Sequence, residues 1–251
     1  MNCYTGELEP MVCRWLPPSI PSEMEIKMRM TCIDGVFQLY GHNKNHRHFI
    51  RSMKAYYDVT YRYEDHPANS KKEWRLGEPC VAKMGAHWYR AKVLETDHYS
   101  NEVGVIFVDL GNVQKVNCED LRIPREFGSL VCIAFIQCHI LNFIYYPFFQ
   151  PILAIRMALD SIVPPNGKKF FSDQSLKAMQ EEIAYWNSGY IKVCRSREVT
   201  AFPIPVNMYY LDGKKWKNFG QSLVDRGLAD FGHVDFSNPL YMLHARGIDA
   251  A

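Results

Sequence analysis

Apolar and polar residues alternate in short runs along much of the chain, and this period of two predicts β-strands. A first strand pair is predicted at 26–30 and 36–40, joined through the turn Asp34-Gly35. Four short strands with turn signals between them follow from Gly77 to Asn117, a pattern that is typical of a small barrel. Further strands are predicted at 133–143, 191–195 and 205–211.

Helical periodicity interrupts the strands at three places. After Asn45, large apolar residues recur at a spacing of three and four, which predicts a helix. A second helix is predicted from the N-cap Ser172 to Gly189, and a short third one from Asn218 to Gly227. The order of strands, helix, barrel, then strands and helices again indicates one domain inserted into another.

Length and charge narrow the range of functions. At about 150 residues per domain, 251 residues allow two small domains or one composite domain. The net charge of +2, from 29 basic and 27 acidic residues, argues against nucleic-acid binding through bulk charge. An apolar content of 47% fits a globular protein and excludes a disordered one.

Three sequence blocks stand in a characteristic order. They are GEPCVAK from Gly77, WYRAKV from Trp88 and VIFVDLGN from Val105. They resemble the Tudor-domain run G-x-x-C-x-A, W-Y-R-A-x-V and V-x-F-x-D-Y-G-N with the same gaps. Two later blocks, PVNMYYLDG from Pro205 and QSLVDRGLA from Gln221, resemble the end of a staphylococcal-nuclease-like fold. Together the blocks resemble an extended Tudor domain.

This resemblance implies an α+β, mostly β fold. A five-stranded, SH3-like Tudor barrel would be inserted into an oligonucleotide-binding (OB), staphylococcal-nuclease-like barrel with flanking helices. The implied domains are an N-terminal arm at 1–23, an extended Tudor domain at 24–232 and a C-terminal tail at 233–251. Inside the domain, the Tudor barrel is expected at about 74–130, between nuclease-like halves at about 24–60 and 131–232. Residues 143–170 are expected to form an insertion that is longer than the family usually carries.

The family resemblance also implies a function. Extended Tudor domains read arginine-rich peptides, often with symmetric dimethylarginine, from the N-terminal tails of Piwi-clade Argonautes. The implied protein is a non-catalytic scaffold of the piRNA pathway in the cytoplasm, at the perinuclear germ granule (nuage). The resemblance implies no cofactor, no metal and no membrane. The physical basis is cation–π attraction, about 0.5–2 kcal/mol for a guanidinium on a good aromatic face.

A complete cage in this family has four aromatic residues and an asparagine, and this sequence departs from it. Tyr89 and Phe107 match two aromatic positions, but Met84 and Leu110 replace the other two. Losing two ring faces would remove about 1–4 kcal/mol of attraction. We therefore expect a pocket that takes unmodified arginine or is indifferent to methylation. We also expect Ala at Tyr89 or Phe107 to weaken binding without unfolding the protein.

Unmodified arginine keeps all its N–H donors and needs oxygen acceptors. Asn112 matches the family's amide, and Asp109 is the nearest carboxylate in the sequence. The predicted peptide-binding residues are Met84, Tyr89, Phe107, Asp109, Leu110 and Asn112. The competing structural interpretations place the aromatic residues in the barrel core and make Asp109 a turn-stabilising residue.

Other functions remain open at this point. One is a symmetric-dimethylarginine reader with a weakened cage. Another is RNA binding through the OB-like barrel, where Lys214, Lys215 and Lys217 surround Trp216, and Lys168-Lys169 precede two phenylalanines; nucleic acid is the less favoured partner, because a solvated lysine-rich turn explains the same residues. A nuclease is disfavoured because the stretch Gly41–His46, where that fold places its carboxylates, contains no acidic residue.

Overall fold

The computed structural model describes residues 15, 18–35, 38–62, 73–96, 101–124, 151–186, 191–198 and 202–234. The strands are β1 (Glu25–Gly35), β2 (Gln38–Asn43), β3 (Pro79–Met84), β4 (His87–Thr96), β5 (Glu102–Phe107), β6 (Val113–Asn117), β7 (Leu121–Arg122), β8 (Ile155–Leu159), β9 (Ile162–Val163), β10 (Ile191–Arg195), β11 (Ile204–Asp212), β12 (Lys215–Asn218) and β13 (Asp230–Phe231). The helices are α1 (Arg47–Arg62), α2 (Asp173–Trp186) and α3 (Phe219–Asp225).

The first and last parts of the chain form one barrel. Its sheet has the order β10-β1-β2-β8-β11-β12, and an additional pairing between β10 and β11 closes five of these strands into a ring. Apolar side chains that alternate along the strands fill the interior, where Met28, Leu39, Met157, Val193 and Met208 are almost completely buried. Strands that lie more than 100 residues apart in the sequence are therefore neighbours in one core, as a domain with an insertion requires.

The inserted residues form a second, antiparallel sheet of order β6-β5-β4-β3-β7. Small and β-branched residues face its interior, where Cys80, Ala82, Ala91, Val93 and Val105 have no exposed surface. The four strands predicted between Gly77 and Asn117 are confirmed. The mostly β fold with a Tudor barrel inserted in a nuclease-like barrel is confirmed as well.

Helix α1 connects the two barrels and packs on the second one. Its buried residues Met53, Tyr57 and Tyr61 lie at i, i+4 and i+8, so they share one helix face. This face contacts Val81 and Trp88 of the Tudor sheet. The Tyr61 hydroxyl also donates a hydrogen bond to the Ile123 carbonyl, at 3.1 Å. The predicted helix is confirmed, although it begins at Arg47 after a short 3₁₀ turn at Lys44–His46.

The predicted insertion at 143–170 needs correction. Residues Ile155–Leu159 form β8, which pairs with β2 on one side and with β11 on the other. All five side chains of β8 are buried, because the strand lies in the middle of the sheet. This segment is thus an integral part of the nuclease-like barrel. Residues 143–150 and the strand predicted at 133–143 lie outside the described residues.

Candidate peptide-binding site

Four of the six predicted site residues meet at one end of the Tudor barrel. Met84 ends β3 and Tyr89 lies near the start of β4, while Leu110 and Asn112 belong to the turn between β5 and β6. Met84, Tyr89 and Leu110 are partly buried and pack against the barrel core. The Asn112 side-chain amide donates to the Met84 sulfur at 3.3 Å, which ties the turn to β3. We call these four residues the mouth pocket.

The backbone of the β5–β6 turn sets the position of Leu110 and Asn112. The Phe107 carbonyl accepts from the N–H groups of Leu110 and Gly111, at 2.9 and 2.7 Å. Gly111 has a φ of +85°, a conformation that L side chains rarely adopt. The tight turn brings Asn112 back beside Met84.

The second barrel holds this turn in place from outside. The Thr31 hydroxyl donates to the Leu110 carbonyl at 2.6 Å. A Cβ added at Gly111 would lie 2.2 Å from Cγ of Tyr40, so the glycine lets β2 of the nuclease-like barrel approach closely. The mouth pocket therefore lies at the junction of the two barrels, where a peptide could contact both.

The Asn112 side chain offers an acceptor at this pocket. Its Oδ1 is buried and has no hydrogen-bond partner among the described residues. A buried acceptor without a donor costs about 1–3 kcal/mol. A ligand N–H that reached Oδ1 would remove that cost.

Tyr89 supplies the aromatic wall. Its half-buried ring meets Phe107 edge to face, with 6.0 Å between the ring centroids. Burial, and secondly the negative charge of Asp58, raises the pKa of the Tyr89 hydroxyl. The side chain therefore stays a neutral phenol at physiological pH, and its ring face can meet a cation.

The position of Phe107 corrects the sequence-based expectation. Its side chain has 0% exposure and belongs to the barrel core with Ala91, Val105 and Leu121. The ring lies behind Tyr89, so it supports the aromatic wall and cannot itself face a ligand in this conformation. The structural interpretation of this residue is the correct one.

Asp109 is also placed differently from its predicted role. Its carboxylate is 1% exposed and accepts two hydrogen bonds from the Arg90 guanidinium, the one from Nε at 2.8 Å. The Leu153 backbone N–H donates to the same carboxylate at 3.1 Å. The Arg90–Asp109 ion pair thus joins the Tudor sheet to the segment that leads into β8, and Asp109 is not accessible to a peptide.

Sequence reasoning missed the role of Arg90. The guanidinium also donates to the Pro151 carbonyl at 3.0 Å and lies 5.2 Å from the Trp15 ring centroid. The Trp15 indole N–H in turn donates to the Ala91 carbonyl at 2.7 Å, which fixes this part of the N-terminal arm to the barrel. An arginine with 0% exposure needs such partners. The available signal was that Arg90 and Asp109 are both motif positions of the Tudor blocks.

A separate groove of about 830 Å³ lies between the β3–β4 turn and the end of α1. Its floor is Trp88, and its walls carry three cations and three carboxylates: Arg62, Lys83, Arg122, Asp58, Glu119 and Asp120. Lys83 and Trp88 alternate with the residues that face the barrel interior, so this groove is on the outer surface of the sheet. The mouth pocket and the groove are different sites.

A Tudor barrel inserted into a nuclease-like barrel is the architecture of extended Tudor domains, and this chain has that fold. Residues 20–140 match the family model of the Tudor domain. Mouse A-kinase anchor protein 1, mitochondrial, is 27% identical over 144 residues, which are 57% of this chain and only 14% of that protein. The chain therefore spans a small part of this relative.

Solved extended Tudor domains are similar in structure. The extended Tudor domain of human TDRD1, in complex with a symmetrically dimethylated peptide, has a TM-score of 0.69 and 16% identity, covering 90% of this chain and 98% of its own. Domain TD3 of mouse TDRD1, in complex with a MILI peptide containing dimethylarginine, has a TM-score of 0.67 and 17% identity, covering 87% and 99%. Papi of Drosophila melanogaster, in complex with an unmethylated Piwi N-terminal peptide, has a TM-score of 0.63 and 14% identity, covering 84% and 100%.

Two searches of the described residues found no further class of site. None of the helices there combines the length and the apolar character needed to cross a membrane. No group of three or more His, Cys, Asp and Glu side chains in that part of the chain is placed to hold a metal ion.

Proposed function

We propose that this chain is a non-catalytic reader that binds an arginine side chain of a partner peptide in the mouth pocket. The unpartnered Oδ1 of Asn112 is the observation that carries the proposal. A guanidinium that entered beside Tyr89 would donate to this oxygen and lay its cationic plane on the phenol ring. Met84 and Leu110 would contact the aliphatic part of the arginine side chain.

The composition of the pocket supports recognition that does not depend on methylation. With Phe107 buried, Tyr89 is the aromatic residue with a partly exposed ring at the predicted positions, so cation–π attraction is limited to about 0.5–2 kcal/mol. Methylation adds apolar surface but removes N–H donors. Because the amide acceptor needs a donor and few rings are present to reward the methyl groups, unmodified arginine should bind at least as well as the dimethylated form.

The proposed partner is the arginine-rich N-terminal tail of a Piwi-clade Argonaute. Support comes from the similar Papi domain, which was solved with a Piwi N-terminal peptide, and from the TDRD1 domains solved with dimethylated peptides. In this proposal the chain serves as a scaffold module of the piRNA pathway at the cytoplasmic germ granule. A symmetric-dimethylarginine reader with a weakened cage is the second candidate, and the same experiment distinguishes the two.

The test is calorimetric titration of matched Piwi-tail peptides that carry arginine, monomethylarginine or symmetric dimethylarginine at one position. We expect the unmodified peptide to bind within a few-fold of the others. Asn112→Leu removes the acceptor and should weaken binding about tenfold or more, which corresponds to about 1.4 kcal/mol. The control Asn101→Leu removes an exposed amide elsewhere in the barrel and should leave the affinity unchanged.

Two results would contradict the proposal. A strong preference for the dimethylated peptide would favour the second candidate. Absence of binding to all three peptides would reject an arginine reader of Piwi tails altogether.

A further inference from the structure

Strand β12 is an edge strand of the nuclease-like barrel. It pairs with β11 in the register Tyr209↔Asn218 and Leu211↔Trp216. Among the described residues, no strand pairs with its other side. An edge of this kind presents N–H and C=O groups that another extended chain can pair with.

The two faces of β12 differ in chemistry. Lys215 and Lys217 point to one face, and Trp216 points to the other beside its cross-strand neighbour Leu211. Trp216 is 44% exposed and Leu211 is 47% exposed, so together they form a small apolar surface. We call Leu211, Trp216 and the lysines at 214, 215 and 217 the hairpin patch.

Positive charge surrounds the hairpin patch. The Lys192 ammonium lies 5.1 Å from the Tyr209 ring centroid and 5.2 Å from that of Trp216, on the apolar face. Nearby carboxylates offset part of this charge, since Glu25 lies 3.4 Å from Lys192 and Asp212 pairs with Lys217. Four lysines against two carboxylates still leave the surface positive, so it is complementary to an acidic ligand.

We propose that the free edge of β12 binds an extended acidic segment of a partner protein by strand addition. The backbone of the segment would continue the sheet beyond β12. Its side chains would alternate between the faces, with Asp or Glu opposite Lys215 and Lys217 and an apolar residue against Trp216 and Leu211. The expected sequence pattern is therefore a strict alternation of acidic and apolar residues over about four to six positions, the usual length of a short strand.

The observations favour a peptide over single-stranded RNA. Base recognition needs open aromatic faces, but Lys192 already lies over the Trp216 ring. The aliphatic Leu211 offers no stacking surface, and the hydrogen-bonding edge of a strand matches a peptide backbone. Lysines on edge strands also prevent aggregation, but this role does not account for the exposed Trp216 and Leu211 on the opposite face.

The test uses fluorescence anisotropy with a labelled eight-residue peptide of alternating Glu and Val. The protein should bind this peptide and should not bind the Lys-Val counterpart. A Glu-Val peptide with N-methyl groups on alternate backbone amides should also fail, because strand addition needs those N–H groups. Since this edge is separate from the mouth pocket, affinity for arginine peptides should stay unchanged throughout.

Variants assign the interaction to β12. Lys215→Glu combined with Lys217→Glu should weaken Glu-Val binding at least tenfold, and Trp216→Ala should do so through the apolar face. Lys115→Glu is the matched control, because Lys115 is an exposed lysine on β6, an edge strand of the other barrel. Thermal melting monitored by circular dichroism verifies that each variant is folded.

The proposal is overturned if the Glu-Val peptide does not bind, if the N-methylated peptide binds equally well, or if Lys115→Glu has the same effect as the β12 double variant. Binding of a labelled uridine decamer that the β12 double variant abolishes, in the absence of peptide binding, would overturn it in favour of RNA.

Discussion

At the scale of single residues, neighbouring motif positions have opposite roles. Tyr89 and Phe107 stand in contact, yet the first ring is half-buried at the mouth pocket and the second has no exposed surface. Asp109 and Asn112 are three positions apart, yet the carboxylate holds Arg90 while the amide oxygen has no partner in the described residues. A motif match therefore identifies the position but does not by itself separate binding from support.

Alanine substitution separates the two aromatic residues. Phe107→Ala should lower the free energy of unfolding by about 3–5 kcal/mol, because it leaves a cavity in a closely packed core. Tyr89→Ala should weaken binding of the arginine peptide while changing stability much less. Urea denaturation of both variants is the measurement, and a Phe107→Ala protein as stable as the unmodified one would contradict the placement of this ring.

At the scale of an element, the β5–β6 turn connects the pocket to the rest of the fold. It places Leu110 and Asn112, and it is held by the Phe107 carbonyl within the turn and by Thr31 from the other barrel. Gly111 meets two requirements in this turn, a left-handed backbone and close contact with Tyr40.

Gly111→Ala should therefore destabilise the protein more than an ordinary glycine replacement. The left-handed conformation alone costs about 1–2 kcal/mol, and the contact of 2.2 Å with Tyr40 adds to it. Gly213→Ala is the control, since its φ is +62° but no atom lies within 4 Å of the added Cβ. Equal losses in the free energy of unfolding for the two variants would show that the contact with Tyr40 is unimportant.

At the scale of the whole molecule, the junction of the barrels is polar as well as apolar. The Arg90–Asp109 pair lies in it, and His42 of β2 is 5% exposed nearby. Burial lowers the pKa of His42, and the positive charge of Arg29 adds to the effect while Asp109 opposes it. Burial, and secondly the charge of His42, also lowers the pKa of His46.

These shifts predict that acid destabilises the fold. In the unfolded chain both histidines take up protons near the ordinary pKa of 6.5, whereas the folded protein resists protonation until lower pH. Stability is therefore full above that value and decreases as the pH falls below it. The urea midpoint should be lower at about pH 5.5 than at about pH 7.5, and His42→Gln should reduce this difference while His48→Gln on the exposed side of α1 should not. A midpoint that rises on acidification would refute the assignment.

Much of the fold could be predicted because its signals are local. The alternation of Cys80, Ala82 and Lys83 with their neighbours defines a strand, and Asn218 with its side chain on the Gln221 N–H defines the start of α3. Strand β8 was missed because all of its side chains are buried, so it shows no alternation of apolar and polar residues. Only its pairing with β2 and β11 identifies it as a strand.

The sequence by itself determined the class of fold and the positions at which a site would lie, because strand periods, turns and the Tudor blocks are properties of nearby residues. Tertiary structure decided what each position does. Burial and partnership depend on groups distant in the chain: Leu153 and Arg90 enclose Asp109, Tyr40 approaches Gly111, and Phe107 is covered by the barrel core. Solvent exposure and hydrogen-bond partners arise only when these distant segments meet.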